Sequence, residues 1–264
     1  MIKPLKAYED VDFLKEDACR SIRLQLEFLK TETRIAEHNI DSTIVIFGSA
    51  RTLPEDIAQT RLRMAEKELK NSQNSVELQK LYNIAKRDFE ASHYYELARS
   101  FSYLVTKESN TENEKEEYVV VTGGGGGIME AGNRGAAEAG GKSIGLNITL
   151  PFEQKPNKYI TEDLSFLFHY FSIRKIHFLL RAKALCAFPG GFGTLDELFE
   201  TLTLVQTGKT SSMPIILFGK EFWEKLIDWH LLIKQGVISE NDLELFSFCD
   251  DSEEAWDIIK DFWE

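Results

Sequence analysis

The run PGGFGTLDE, Pro189 to Glu197, places bare backbone donors, one hydroxyl and two carboxylates next to one another. It follows an apolar stretch, Ala184 to Phe188, and leads into an amphipathic segment that starts near Leu195. A glycine-rich turn from a strand into a helix offers unobstructed N–H groups and the positive end of a helix to an anion. Thr194 adds a hydroxyl donor. Asp196 and Glu197 fall in the first helical turn, where each carboxylate gains roughly 0.3 to 1 kcal/mol from the helix dipole and can serve as a cap. Beside a bound phosphate, a carboxylate in that position could also act on the sugar that carries the phosphate.

A second glycine run lies upstream. VVVTGGGGGIMEAGNRGAAEAG reads as a buried strand, Tyr118 to Val121, then Gly123 to Gly127, then a helix through Ile128, Met129, Ala131, Ala136 and Ala137. Strand, glycine turn and helix in this order bring backbone against a nucleotide. It is not a strict dinucleotide fingerprint, and no Gly-Lys-Ser/Thr follows, which sets aside P-loop ATP or GTP hydrolysis. One such run is accounted for by a tight turn under a close helix crossing; two are harder to dismiss. Arg174 stands in a largely apolar segment, and a buried guanidinium needs an anion. That anion is either an internal acid such as Glu197 or a bound group. Its place just before the strand that delivers PGGFGTLDE favours a bound group, and an Arg and a Glu converging on a phosphate cradle suit a phosphorylated sugar.

These residues need a scaffold. Residues 1–40 read as a helical arm, with Ile22, Leu24, Leu26, Phe28, Leu29 and Ile35 set among charges. TIVIFGSA, Thr43 to Ala50, is a strand covered on both faces. Residues 53–92 are polar and free of glycine, a helical hairpin broken near Asn71 to Asn74 and inserted before a helix from Tyr94 to Leu104. It reads as a solvated helix pair, with an oligomer contact as the alternative. An acidic loop, Glu108 to Glu117, precedes the Tyr118 strand. Then come a strand from Ser143 to Asn147, a loop through LPFEQKPNKY, a helix from Phe166 to Ala182, the strand Ala184 to Phe188 and a helix from Leu195 to Thr207. A strand at Pro214 to Phe218 and helices at Glu221 to Gln235 and Glu254 to Phe262 close the chain. The alternation predicts an α/β fold: one Rossmann-like, doubly wound, mostly parallel sheet over residues 1–264, with helices on both faces. Ligands meet such sheets at the carboxyl ends of the strands. That edge collects Ser49 of GSAR, Gly124, Gly125 and Gly127, and the Gly190 turn.

With 264 residues and 43% hydrophobic content the chain has ample material for such a core. It shows no apolar run near the length of a membrane span and no signal-peptide pattern, so a cytoplasmic protein with no membrane partner is expected. A net charge of −12 argues against polymeric nucleic acid, whose affinity comes from clustered Lys and Arg, but allows a small phosphate ligand. Cys19, Cys186 and Cys249 are odd in number and show no CxxC, and His169 and His177 are not at ligand spacing. No metal and no cofactor are expected.

FGSAR, TGGGGGIMEAGNRGA, LPFEQKPN, FHYFSIRK and PGGFGTLDELFETLTLVQTGK, in this order, resemble the LOG (Lonely Guy) family of nucleoside 5'-monophosphate phosphoribohydrolases, often mislabelled lysine decarboxylases. The resemblance spans roughly residues 43–260, and the length with the FGSAR and LVQTG forms is similar to the larger bacterial members. It implies hydrolysis of the N-glycosidic bond of AMP or an N6-modified AMP to free base and ribose 5-phosphate, in a homodimer or larger homo-oligomer. It implies Arg174 and Glu197 as the catalytic pair and Gly190, Gly191, Phe192, Gly193 and Thr194 as the phosphate turn. Glu153, Lys175 and Thr203 match further substrate contacts, and Asn157 and Met129 match lining residues. The arm and the 53–92 insertion depart from the short plant-type pattern, and the likeness to the larger bacterial members in length and in the FGSAR and LVQTG forms puts a cytokinin substrate in question. The alternatives are a non-catalytic nucleotide or molybdenum-cofactor carrier or sensor of the same fold, and an assembly scaffold. The sequence presents no acid for the departing purine.

Overall fold

Ser42–Phe47 forms β1, the central strand, buried along its whole length. The computed structural model describes residues 4–71, 75–109, 117–151 and 155–264. Ahead of β1 lie the short helix α1 (Val11–Lys15) and α2 (Arg20–Glu37). After it come α3 (Glu55–Asn71), α4 (Val76–Ser109), β2 (Tyr118–Thr122), α5 (Ile128–Glu138), β3 (Ser143–Ile148) and β4 (Ser165–Phe168). The second half runs α6 (Phe171–Leu179), β5 (Ala182–Ala187), α7 (Phe192–Gln206), β6 (Ile215–Phe218), α8 (Lys220–Leu226), α9 (Trp229–Lys234), β7 (Ser247–Cys249) and α10 (Ser252–Trp263).

The strands make one seven-stranded parallel sheet in the order β4-β3-β2-β1-β5-β6-β7, a Rossmann-like α/β architecture. Successive side chains of a strand point to opposite faces, and the core divides accordingly. Val45, Val119, Val121 and Leu185 pack with Ile35, Phe178, Leu198 and Trp223, from α2, α6, α7 and α8. Ile44, Ile46, Val120 and Cys186 pack with Tyr95, Phe101, Ile128 and Trp256, from α4, α5 and α10. Strand order reverses direction at β1 and β5, and a crevice opens there outside the carboxyl ends of the strands.

Several elements differ from the sequence expectation. The helix expected over Phe166 to Ala182 is a strand, a turn and a shorter helix. In β4 Phe166 and Phe168 are buried while Ser165 and Leu167 are exposed, a two-residue period masked because the outward Leu167 is also apolar. The helix pair with a separate Tyr94 helix is instead α3 followed by one unbroken α4. Within it Ser92 Oγ donates to the Phe89 carbonyl at 2.7 Å, so this serine bonds inside the helix rather than ending it. The expected Glu221–Gln235 helix breaks at extended Ile227, where Asp228 caps α9 by accepting from the Leu231 amide at 2.9 Å. β7 is too short for a sequence period to register. The break after Asn71 and most of the acidic run after Glu108 lie outside the described residues. Among the described residues no helix is long and apolar enough to cross a membrane.

Helices α4 and α5 cross at backbone contact over Gly135, where a Cβ would sit 2.1 Å from the Arg99 carbonyl oxygen and 2.9 Å from the Tyr103 nitrogen. The obstacle is backbone, so it cannot swing aside. Gly135→Ala should lower the free energy of urea unfolding by about 1 to 3 kcal/mol. An unchanged unfolding midpoint would show that the crossing is looser than the structure has it.

Candidate active site

Three strand-to-helix loops meet at the switch point and are tied together by their backbones. The Ser49 amide donates to the Pro189 carbonyl at 3.1 Å, the Ile128 amide to the Ser49 carbonyl at 3.0 Å, and the Phe188 amide to the Phe47 carbonyl at 2.8 Å. Gly127 makes this approach possible: its φ is +65°, and a Cβ there would lie 2.2 Å from the Ser49 carbonyl oxygen. Asn157 holds the glycine loop from outside. Its backbone N–H donates to the Gly124 carbonyl at 2.9 Å, and its Nδ2 donates to the Gly125 carbonyl and the Asn133 Oδ1 at 3.0 and 2.9 Å.

The loops border a cavity of about 740 Å³. Gly191, Phe192, Gly193 and Thr194 line it with the first turn of α7, whose N-cap, Gly191, supplies no side chain to occupy the turn's free amides. Gly190 lies under that turn, where a Cβ would collide with the Thr194 hydroxyl at 2.1 Å. Ser49 and Met129 also line the cavity. Gly124, Gly125, Gly127 and Asn157 shape the wall from behind it, and Gly123 forms the lining itself. Glu153 lies outside the described residues.

Arg174 and Glu197 enter this cavity from α6 and α7. Arg174 Nε donates to the Leu146 carbonyl at 2.6 Å, and the guanidinium carbon lies 5.1 Å from the centre of the Phe178 ring. Among the described residues it makes no ion pair within 4.0 Å, Glu197 included. Burial pushes its pKa down and the Glu197 carboxylate pulls it back up, but a guanidinium stays charged in any case. Glu197 is 7% exposed, and its carboxyl has no hydrogen-bond partner among the described side chains. Burial pushes its pKa up to about 7, against the opposing pull of Lys175 and Arg174. The cavity thus holds a cation and a half-ionised acid that do not satisfy each other.

Lys175 is turned away. Its Nζ bonds Asp196 Oδ2 at 2.9 Å and Glu200 Oε2 at 2.8 Å, and it lines a separate cavity of about 920 Å³ with Arg181 and Lys209. Thr203 lies farther along α7, where its hydroxyl donates to the Phe199 carbonyl at 2.7 Å. Neither lines the cavity that holds Arg174 and Glu197. Sequence reasoning passed over Arg51, Asn147 and Phe171, which do. Arg51 closes the FGSAR run and Asn147 is the second-last residue of β3, so the carboxyl-edge rule that selected Ser49 points to both.

The fold and cavity define a doubly wound α/β protein with a crevice at its switch point, lined by Arg174, Glu197 and the first turn of α7. Residues 129–259 match the family model described as possible lysine decarboxylase, and the chain belongs to that family, the LOG family. Similar solved structures include the molybdenum cofactor binding protein of Rippkaea orientalis, with 21% identity over 65% of this chain and 89% of that one and a TM-score of 0.47. The structural-genomics target TM1055 is 19% identical over 83% of this chain and 99% of its own, with a TM-score of 0.48. The Moco carrier protein of Chlamydomonas reinhardtii is 18% identical over 84% and 98%, with a TM-score of 0.47. No curated protein matches the chain.

The pKa of Glu197 has a consequence for stability. A carboxyl whose folded-state pKa of about 7 exceeds its usual 4.5 stabilises the fold below pH 4.5, and that contribution is lost as pH rises through 7. Between pH 5 and pH 8 the wild-type protein should therefore lose about 2 to 3 kcal/mol relative to Glu197→Gln. Urea unfolding of both proteins at the two pH values measures this, and a difference that stays constant with pH would contradict a buried, unpaired carboxyl.

Proposed function

We propose that this protein hydrolyses the N-glycosidic bond of a purine nucleoside 5'-monophosphate, AMP or an N6-modified AMP, to free base and ribose 5-phosphate. The observation that carries the reading is the pair Arg174, half-buried, and Glu197, buried, facing one cavity without bonding each other. Membership of the LOG family supports it.

In this reading the 5'-phosphate lies against the first-turn amides of α7, where aligned dipoles and free N–H groups favour an anion. Binding energy from that remote group holds C1' near Glu197. Cleavage of C1'–N9 builds positive charge on the ribose, as in glycoside hydrolysis. The ionised form of Glu197 stabilises that charge and takes a proton from the attacking water. A carboxyl with a pKa near 7 suits this work at neutral pH. The water oxygen bonds to C1', and the C1'–N9 electron pair leaves with the purine. The departing base needs one proton, the number that Glu197 has gained, so returning it restores the carboxylate and supplies the acid that the sequence did not reveal. Arg174 anchors the anionic parts of the substrate, and its contact with Phe178 keeps it facing the cavity.

Incubation with AMP should release adenine and ribose 5-phosphate in equal amounts, read by liquid chromatography. Adenosine, without the phosphate, should turn over far more slowly. Glu197→Gln and Arg174→Ala should each lower kcat/KM by about 10² to 10³-fold, the size expected for one fixed charge at a dry site. A wild-type protein that binds AMP yet releases no base would make it a carrier and overturn the hydrolase reading.

A further inference from the structure

Arg174 does its work only if α6 stands at the right height over the cavity. α6 has no side-chain cap of its own: Tyr170 at its N-cap is extended and offers none. The missing acceptor comes from α2, in the N-terminal arm. Glu27 Oε1 accepts from the His169 amide at 2.8 Å and Oε2 from the Tyr170 amide at 3.2 Å, so one carboxylate holds both peptide units that enter the helix. The Tyr170 carbonyl in turn accepts from the Arg174 amide at 3.2 Å. One residue therefore separates the arm from the backbone of Arg174.

A second clamp grips the other end of the helix. Glu32 of α2 accepts from Arg181 Nη1 and Nη2 at 2.7 and 2.8 Å and bonds His177 Nδ1 at 3.1 Å. The His177 ring lies between Phe28 of α2 and Phe168 of β4, with centroids 5.0 and 5.6 Å away, and its buried Nε2 has no hydrogen-bond partner among the described residues. Arg23, also on α2, donates from Nε to the Tyr170 hydroxyl at 3.2 Å, while its Nη1 reaches back to the Leu14 and Glu16 carbonyls at 2.7 and 2.6 Å. Three charged residues of one helix are thus spent on the helix that carries Arg174. Folding alone does not ask for this, since the apolar side of α2 already packs through Ile35.

We propose that α2 positions the catalytic helix, with Glu27 and Glu32 as positioning residues that set the place of Arg174 in the cavity. The proposal rests on the hydrolase reading for what Arg174 does there, and on the geometry alone for how Arg174 is held. It gives the arm a part in the site.

Two measurements on the full chain test it. In amide hydrogen exchange, Glu27→Ala should speed exchange at His169, Tyr170 and Arg174 by about ten-fold or more while α7 and β5 keep their protection. Glu27→Gln, which keeps one carbonyl acceptor, should fall between it and the wild type. In a double-mutant cycle on AMP cleavage, Glu27→Ala should lower kcat by about ten- to a hundred-fold in the wild-type background and have almost no effect in the Arg174→Ala background. A residue that merely stabilised the fold would cost the same in both. Equal losses in the two backgrounds, or unchanged exchange across α6, would overturn the positioning role. If the wild-type protein releases no base, the hydrolase reading falls and the exchange result alone decides the positioning.

Discussion

A half-buried guanidinium and a buried carboxyl that line one cavity without bonding each other are the constraint from which the rest of this structure follows. Left alone, two such groups would close into an ion pair, because each is costly to bury without a partner. Here the Leu146 carbonyl and the Phe178 ring fix Arg174, and α7 fixes Glu197. Lys175, the neighbouring cation that could neutralise Glu197, is drawn off by Asp196 and Glu200. A ligand with an anionic group and a centre that becomes positive during reaction would satisfy both groups.

The loops around the pair are built to come close. Backbone bonds among the Ser49, Ile128 and Pro189 segments, and a glycine at 127 that no other residue could replace without collision, bring three strand ends together. Bonds of this kind add rigidity without side chains in the way, which is what a phosphate needs at a helix terminus. The parallel sheet supplies the placement: every loop that touches the cavity leaves the carboxyl end of a strand next to or near the switch between β1 and β5.

The parts of this arrangement that depend on local chemistry could be read in the sequence. PGGFGTLDE announced a strand, an open turn and a helix by residue type alone, and Arg174 stood out because a guanidinium in an apolar run demands an explanation. The fate of Lys175 could not be read, since it depends on two carboxylates presented by another helix. The grip of α2 on α6 is likewise non-local: Glu27 and Glu32 look like ordinary surface acids until the fold sets them beside Tyr170 and Arg181. β4 was hidden by an exposed leucine, and the length of α4 by polar residues that resemble a break but bond within the helix.

The most direct test is a titration of the Glu197 carboxyl itself, followed by carbon-13 NMR of glutamate-labelled protein with Glu197→Gln to assign the signal. A midpoint near 7 in the free protein, displaced when ribose 5-phosphate is added, is the expected result. A midpoint at the ordinary 4.5, unmoved by the sugar phosphate, would contradict a buried acid kept unpaired for a phosphosugar.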